Sequence, residues 1–286
     1  MQKSISNGII GICADSFGST LTSVRSEKSG YEFLWQPDPD IWNGQSPILF
    51  PVIGGLLNGE CEIDGKSYKI IRHGIARHRE FELVGADGNS LEFVQTESEG
   101  TLESFPFSYE LRVKFLINGN SLTVTHTVKN TDRRPMPFGI GAHPAFKCER
   151  GDSIVFEKNE HAYCERIGGD SLLNGERDLI LDGENTIKIT EHLFDKDVMI
   201  FEGLESRYVT LKKERLKKSV KFFFGGCEYF SVWAKPDAPF VCLEPWCGIN
   251  DSHEKNESFY TKRGNITLLP DQSFSFEWRA EFNEDV

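Results

Sequence analysis

The sequence predicts an all-β protein, a large sandwich of antiparallel sheets with few short helices. Three observations predict this fold class. Apolar and polar residues alternate in many short stretches, turn pairs such as DG and NG separate these stretches, and helical periodicity is scarce. No low-complexity linker divides the 286 residues. We therefore expect residues 1–286 to form a single domain.

The clearest alternation lies in residues 109–128. Tyr109, Leu111 and Val113 alternate with charged residues, and a second stretch alternates apolar residues with threonine. The segment NGN at residues 118–120 lies between the two stretches and has the composition of a turn. Period-two alternation on both sides of a turn predicts a β-hairpin.

The same pattern predicts further strands near the end of the chain. Residues 274–280 alternate apolar and polar side chains, and the segments SVKFFFGG (219–226) and YFSVWA (229–234) indicate two strands around Gly225 and Gly226. The segment YKIIRHG (68–74) also has the composition of a strand. The best helix candidate is short, ITEHLFDKD at residues 189–197.

Composition narrows the class of partner. The net charge is −12 and the isoelectric point is about 5.1, which argues against nucleic acid or an anionic membrane as partner, because phosphate contacts need lysine and arginine. No run approaches the roughly 18 apolar residues of a membrane span, and the N-terminus lacks a secretory signal pattern. The seven scattered cysteines contain no CxxC pair, so we expect reduced thiols and a cytoplasmic protein.

Three segments contain residues suited to acid–base chemistry. The first is FGIGAHPAF (138–146), in which small and apolar residues surround His143 and Pro144 stiffens the following turn. Burial lowers the pKa of a histidine and a nearby carboxylate raises it, so such a setting can tune a general acid. The alternative is a core histidine that is hydrogen-bonded to the backbone.

The second segment is VCLEPWCGIND (241–251), in which Glu244 follows an apolar run. A carboxylate among apolar residues costs free energy unless it is paired, which suggests a functional acid or base. Trp246 offers a flat apolar face that suits the C–H side of a sugar ring. A solvent-facing glutamate and a core tryptophan are the alternatives.

The third segment is RHGIARHREFEL (72–83), in which His73 and Arg77 could face a common cleft. The adjacent His78 and Arg79 are interpreted as solvated surface residues. The composition around the remaining histidines places His161 and His253 at the surface, and His126 on the apolar face of the predicted hairpin.

Several reaction classes lack their motifs. The chain has no GxGxxG after a strand, no GxxxxGK[ST], no GxSxG and no HExxH. By residue type, His73, His143 and Glu244 could form a two-histidine, one-carboxylate metal site. Because no close metal-ligand spacing is visible, we expect no metal. An acid and a base are sufficient for proton-transfer chemistry, so we also expect no cofactor.

Four segments in order resemble motifs of the aldose 1-epimerase (galactose mutarotase) family, especially its LacX-like branch. They are WNGQSPILFPVIGGLLNG (42–59), HGIARHREFEL (73–83), FGIGAHPAF (138–146) and CLEPWCGIND (242–251). Together they cover nearly the whole chain. The resemblance implies a galactose mutarotase-like β-supersandwich and interconversion of the α and β anomers of a free aldose.

The resemblance also implies roles for individual residues. His143 would protonate the ring oxygen of the sugar, and Glu244 would take the proton of the anomeric hydroxyl. His73 would polarise the ring oxygen or hold a hydroxyl. A sugar-binding aspartate would fall in LFDKDVMIF (193–201), where we choose Asp197 over Asp195.

One departure from the family concerns substrate binding. Relatives commonly carry an arginine after the PVIG stretch, and Gly55 occupies that place here. Arg77 is then the best remaining cationic hydroxyl donor. One arginine in a strongly acidic chain leads us to expect a neutral sugar rather than a phosphosugar.

We therefore expect an isomerase that acts on a small-molecule sugar, as a monomer or homodimer. A non-catalytic carbohydrate sensor on the same fold is the main alternative, motivated by Gly55. A glycosidase ranks lower because it needs two carboxylates, and Glu244 has no convincing second acid beside it.

Overall fold

The computed structural model describes residues 1–254 and 258–284 and is dominated by antiparallel strands. The strands of the first half are β1 Gln2–Ser6, β2 Ile10–Asp15, β3 Thr20–Ser26, β4 Ile48–Leu49, β5 Glu60–Ile63, β6 Lys66–Lys69, β7 Glu82–Ala86, β8 Ser90–Thr96, β9 Tyr109–Asn118, β10 Ser121–Asn130 and β11 Met136–Phe138. Those of the second half are β12 Ile140–Ala142, β13 Ala145–Lys147, β14 Ser153–Ile167, β15 Leu173–Lys188, β16 Met199–Glu202, β17 Tyr208–Lys213, β18 Lys218–Phe223, β19 Tyr229–Trp233, β20 Phe240–Cys247, β21 Ile266–Leu268 and β22 Ser273–Glu284. Helical structure in the described ranges is limited to α1 Glu99–Leu102 and two 3₁₀ turns, Leu57–Gly59 and Ala76–His78.

One sheet of 15 strands organises the molecule. Its main path runs β4-β12-β20-β19-β16-β14-β17-β18-β22-β10-β9-β8-β7, while β13 also pairs with β20 and β15 with β14. Smaller sheets are formed by β1-β2-β3, by β11-β21 and by β5-β6. The expectation of large antiparallel sheets with few short helices is confirmed.

The predicted hairpin is confirmed as β9 and β10, which pair from Ser121 with Asn118 to Asn130 with Tyr109. Their apolar positions are buried in alternation, as the period-two pattern requires. The C-terminal strand β22 pairs with β10 on its other edge. His126 lies in this core, stacked on Phe276 with ring centroids 4.6 Å apart.

The two strands predicted around Gly225 and Gly226 are confirmed as β18 and β19, although they pair with other strands rather than with each other. Two local predictions are wrong. Residues 189–197 form turns, because Ile189 and Phe194 are buried among sheet residues while the intervening segment lacks a helical apolar face. Strand β6 ends at Lys69, so His73 lies in a loop rather than at a strand end.

Among the described residues, no helix has the length and hydropathy needed to span a bilayer. All seven cysteines are free thiols in this structure, and five of them are buried.

Candidate active site

A cavity of about 270 Å³ opens at the face of the central sheet formed by β19 and β20. His73, His143 and Glu244 line it together with Trp246 and Arg77. Five of the six predicted site residues thus converge on one place. A cavity near the small end of the roughly 300–1,000 Å³ range of ligand pockets suits a single sugar ring.

Strand register places His143 opposite Glu244. Strand β20 pairs with β12 through Gly141 and Trp246, and with β13 through Ala145 and Cys242. The same register holds on both sides of His143, which lies between the two short strands and therefore across from Glu244. Residues directly opposite in an antiparallel pair point to the same face of the sheet. As a result, Nε2 of His143 lies 3.3 Å from Oε2 of Glu244.

Glu244 is held by a neighbour on its own strand. Its side chain is 1% exposed, and the indole Nε1 of Trp246 donates a hydrogen bond of 3.1 Å to Oε2. Burial raises the pKa of Glu244 well above its ordinary value, and the indole N–H opposes part of that rise. The other carboxyl oxygen, Oε1, has no hydrogen-bond partner within the described part of the chain. Buried polar atoms are normally satisfied, so Oε1 is available to a ligand hydroxyl.

His143 is enclosed by aromatic rings. Trp42 stacks on the imidazole with centroids 5.4 Å apart, and Trp233 meets it edge-on at 5.6 Å. Burial among these groups lowers the pKa of His143 to about 3. Trp42 and Trp233 also line the cavity, and sequence reasoning missed both. Trp42 is the first residue of the motif WNGQSPILFPVIGGLLNG (42–59), and its place in that motif is the sequence signal for a role at the site.

The glycines before His143 allow close packing of neighbouring side chains and do not line the ligand cavity. A Cβ atom at Gly141 would lie 2.9 Å from Cδ1 of Trp246 and 3.0 Å from Cδ1 of Ile53. Gly139 and Gly141 do not line the cavity. These glycines therefore do not provide space for a ligand beside His143, and Gly141 instead permits the close packing of Trp246.

His73 is presented by a strained loop. Its backbone is left-handed, with φ of 64°, and Gly74 follows with φ of 77° at a point where a Cβ would lie 2.1 Å from the carbonyl oxygen of Phe50. The backbone N–H of Gly54 donates to Nδ1 of His73 at 3.2 Å. Burial lowers the pKa of His73 well below its ordinary value, with further lowering from His143 and Arg72, so the ring is neutral.

Gly55 packs against the backbone of Ser171, to which the side chain of Asn250 is hydrogen-bonded. A Cβ at Gly55 would lie 2.9 Å from the carbonyl oxygen of Ser171, which accepts a hydrogen bond of 2.7 Å from Nδ2 of Asn250. Asn250 lines the cavity, and its buried Oδ1 has no partner among the described residues. A side chain at residue 55, where the family resemblance leads us to expect an arginine, would therefore require the backbone at Ser171 to shift.

The structure does not bring Asp197 into the lining of the cavity. Its Oδ1 accepts a hydrogen bond of 2.8 Å from the backbone N–H of Val198, and it is Val198 that lines the cavity. Asp195 is exposed and pairs with His192 at 2.9 Å. Asp197 nevertheless lies near enough for its charge to raise the pKa of Glu244.

Three cations line the cavity among the described residues, whereas the sequence motifs predict one. Arg72 and Lys235 accompany Arg77. Arg72 is the first residue of the segment RHGIARHREFEL (72–83) and adjoins His73, whereas Lys235 lies in no motif. The premise of a single cation at the site is therefore wrong.

The remaining histidines lie outside the cavity. His126 is buried in the hairpin core, while His78, His161 and His253 are exposed, as predicted. Arg79 is exposed as well.

The potential metal ligands differ from the set considered from sequence. Ligand atoms of His143, Cys242 and Glu244 lie within 4.8 Å of one another, whereas His73 is not part of this group. Burial raises the pKa of the Cys242 thiol well above its ordinary value, as it does that of Glu244. Metal ligation needs both groups deprotonated, so the donor set fits a metal poorly.

Known proteins share this arrangement of strands over the whole chain. A galactose mutarotase related enzyme from Lactobacillus acidophilus superposes with a TM-score of 0.94 at 28% identity, covering 100% of this chain and 98% of its own. A galactose mutarotase-like protein from Lactobacillus casei ATCC 334 gives the same score and identity over 99% and 100% of the two chains. A galactose 1-epimerase from Lactobacillus acidophilus NCFM shares the fold at 12% identity, with a TM-score of 0.74 over 99% of each chain.

The sequence comparisons agree. Protein LacX of Lactococcus lactis subsp. lactis is 31% identical over 94% of this chain and 95% of its own length. The family model described as aldose 1-epimerase matches residues 4–278. By strand arrangement and by sequence over nearly its full length, the chain belongs to the aldose 1-epimerase family.

Proposed function

We propose that this protein interconverts the α and β anomers of an aldose, with His143 and Glu244 as the acid and base. The observation that carries the proposal is the 3.3 Å contact between these two side chains at the cavity. The anomeric hydroxyl and the ring oxygen of a pyranose are bonded to the same carbon. A base for one and an acid for the other must therefore lie close together.

The reaction proceeds by two proton transfers. Glu244 takes the proton of the anomeric hydroxyl, the C1–O5 bond breaks to give an aldehyde, and O5 takes a proton from His143. Rotation about C1–C2 presents the other face of the carbonyl, and the reverse transfers close the ring. Each positioned transfer is worth roughly 10²- to 10⁴-fold in rate.

The pair passes through two protonation states in this cycle. Before ring opening the pair is imidazolium and carboxylate, and afterwards it is imidazole and carboxylic acid. The pair therefore holds the same number of protons at both stages. Burial favours the neutral stage, because charged groups are costly away from water. The mechanism uses only proton transfer and needs no cofactor.

The remaining lining residues have binding roles in this proposal. The neutral imidazole of His73 and the amide of Asn250 are placed to meet ring hydroxyls. Trp42, Trp233 and Trp246 provide the apolar faces that sugars pack against. Glu244 is the single carboxylate among the described lining residues, which does not meet the two-carboxylate requirement of a glycosidase.

The direct test measures the mutarotation of freshly dissolved α-anomers for a panel of sugars. Polarimetry or proton NMR monitors the conversion. Acceleration above the uncatalysed rate by the wild type, and its loss in His143→Asn, is the expected result. Sugar binding without acceleration would instead support the sensor function, and calorimetry on the same panel would detect it.

A further inference from the structure

The three cations of the cavity, Arg72, Arg77 and Lys235, have no acidic partner among the described residues. Elsewhere on this acidic protein several arginines each contact two carboxylates, as Arg112 and Arg263 do. Among the described lining residues the one carboxyl group is Glu244, whose side chain contacts Trp246 and His143 and whose pKa the charge of Arg72 lowers without a direct contact.

Two of the three cations, Arg72 and Arg77, interact with each other. A guanidinium nitrogen of Arg77 is 3.4 Å from the carbonyl oxygen of Arg72. The pKa of Arg77 is lowered by burial and by repulsion from Arg72. Arg72 and Lys235 are exposed and Arg77 is partly buried, so the repulsion that a bound anion would relieve falls mainly on Arg77.

The contact between Arg72 and His73 also leaves hydrogen-bond donors without an acceptor. Nε of Arg72 lies 3.2 Å from Nε2 of His73, and the N–H of Gly54 lies 3.2 Å from Nδ1. A neutral imidazole has only one acceptor nitrogen, so it cannot accept from both donors. Buried backbone N–H groups are rarely left unpaired, which favours acceptance from Gly54. Nε2–H and Arg72 then present two donors side by side, suited to one ligand oxygen.

We propose that the substrate is an anionic aldose, whose phosphate or carboxylate lies away from the anomeric carbon and is held by Arg72, Arg77 and Lys235. This inference rests on the proposed function. Three cations match a phosphate monoester, which carries roughly −1.5 to −2 charge at neutral pH, better than a single carboxylate. Guanidinium groups also bind phosphate oxygens in a forked geometry.

The test compares an aldohexose, its 6-phosphate and its 6-carboxylate (the uronic acid) as mutarotation substrates. We expect kcat/KM to be at least tenfold higher for one of the two anionic sugars, with the identity of that sugar naming the anion. The preference should weaken as ionic strength rises. Equal kcat/KM for the neutral and both anionic sugars would overturn the inference and leave the proposed function standing.

Variants locate the anion site. Arg72→Ala, Arg77→Ala and Lys235→Ala should each lower kcat/KM for the anionic sugar by roughly 10- to 100-fold, and that for the neutral sugar by less. Arg79→Ala is the matched control, because Arg79 is exposed and donates to the carbonyl oxygen of Gly100 rather than lining the cavity. Equal losses on neutral and anionic sugars in all three variants would overturn the assignment.

A failure of the proposed function is separable from a failure of this inference. If no sugar is accelerated, calorimetric affinities for the same three sugars decide the inference. Tighter binding of an anionic sugar, abolished in Arg72→Ala and Arg77→Ala but retained in Arg79→Ala, would support it. Equal affinities would overturn it.

Discussion

His143 and Glu244 are a cross-strand pair, with Nε2 of the imidazole 3.3 Å from Oε2 of the carboxyl group. Their contact is set by the register of β20 against β12 and β13, which continues unchanged on both sides of His143. Glu244 therefore lies within β20, and His143 lies in the two-residue link that joins β12 to β13. Both side chains are buried, so their protonation is governed mainly by the protein around them.

Removal of either member of the pair should abolish most of the catalysed rate. His143→Asn and Glu244→Gln are each expected to lower kcat by roughly 10²-fold or more, the scale of one lost proton transfer. Polarimetry on the purified variants measures this loss, and circular dichroism checks their fold. His161→Asn is the control, since His161 is exposed and pairs with Asp182 away from the cavity. Near wild-type turnover in either site variant would remove that residue from the mechanism.

The rate should be flat around neutral pH and fall on both sides. Burial lowers the pKa of His143 to about 3, so a second proton enters the pair only well below the ordinary pKa of histidine. Burial raises the pKa of Glu244, so the last proton leaves only well above the ordinary pKa of glutamate. The single-proton form that catalyses the reaction therefore spans neutrality. A profile that follows one ionisation near pH 6.5 would contradict this pairing.

Trp246 offers a second check on the pH profile. Its indole N–H lowers the pKa of Glu244, so Trp246→Phe should raise that pKa and move the alkaline limb to higher pH. The acid limb, which reports His143, should move less. Rate measurements across pH, corrected for the solvent reaction, distinguish this shift from a uniform loss of activity. An alkaline limb at unchanged pH would show that the indole does not act through Glu244.

Removal of divalent ions should leave the rate intact. The buried group formed by His143, Cys242 and Glu244 must lose protons from a thiol and a carboxyl group to bind a metal, and burial opposes both losses. We expect dialysis against a chelator to preserve kcat, and Cys242→Ser to retain activity. A loss that one divalent ion restores, absent in Cys242→Ser, would instead establish a metal centre.

Much of the fold followed from local patterns in the sequence. The hairpin of β9 and β10 was predictable because alternation and turn composition lie within 22 consecutive residues, 109–130. The segment 189–197 was mispredicted because its structure is fixed by sheet residues that are distant in sequence. Local propensity yields to such tertiary packing.

The site was predictable only in part, for the same reason. His143, Glu244 and His73 stand in recognisable motifs, yet nothing in the sequence pairs segments that are about 100 residues apart. The register that sets 143 against 244 emerges only from the sheet. Lys235 and Trp233 lie in a segment without any motif, so their place at the cavity depends on β19 lying beside β20.

Gly141 should be required for both stability and activity, because its lack of a side chain lets Trp246 pack against β12. In Gly141→Ala the new methyl group would lie 2.9 Å from Cδ1 of Trp246 and 3.0 Å from the carbonyl oxygen of Pro245. Overpacking of this kind costs roughly 1–3 kcal/mol, and displacement of Trp246 would disturb its hydrogen bond to Glu244. The free energy of unfolding, measured in urea, and the mutarotation rate should therefore both fall in this variant.

Gly139→Ala is the matched control for this substitution. It adds the same methyl group two residues earlier, where the nearest atoms lie 3.4 Å away, an ordinary contact distance. We expect its unfolding free energy to stay within about 1 kcal/mol of wild type, below the usual cost of overpacking, with the rate retained. Equal behaviour of the two variants would show that packing against Trp246 does not constrain residue 141. Loss of activity in Gly141→Ala at unchanged stability would instead restore the view that the small residue serves the ligand.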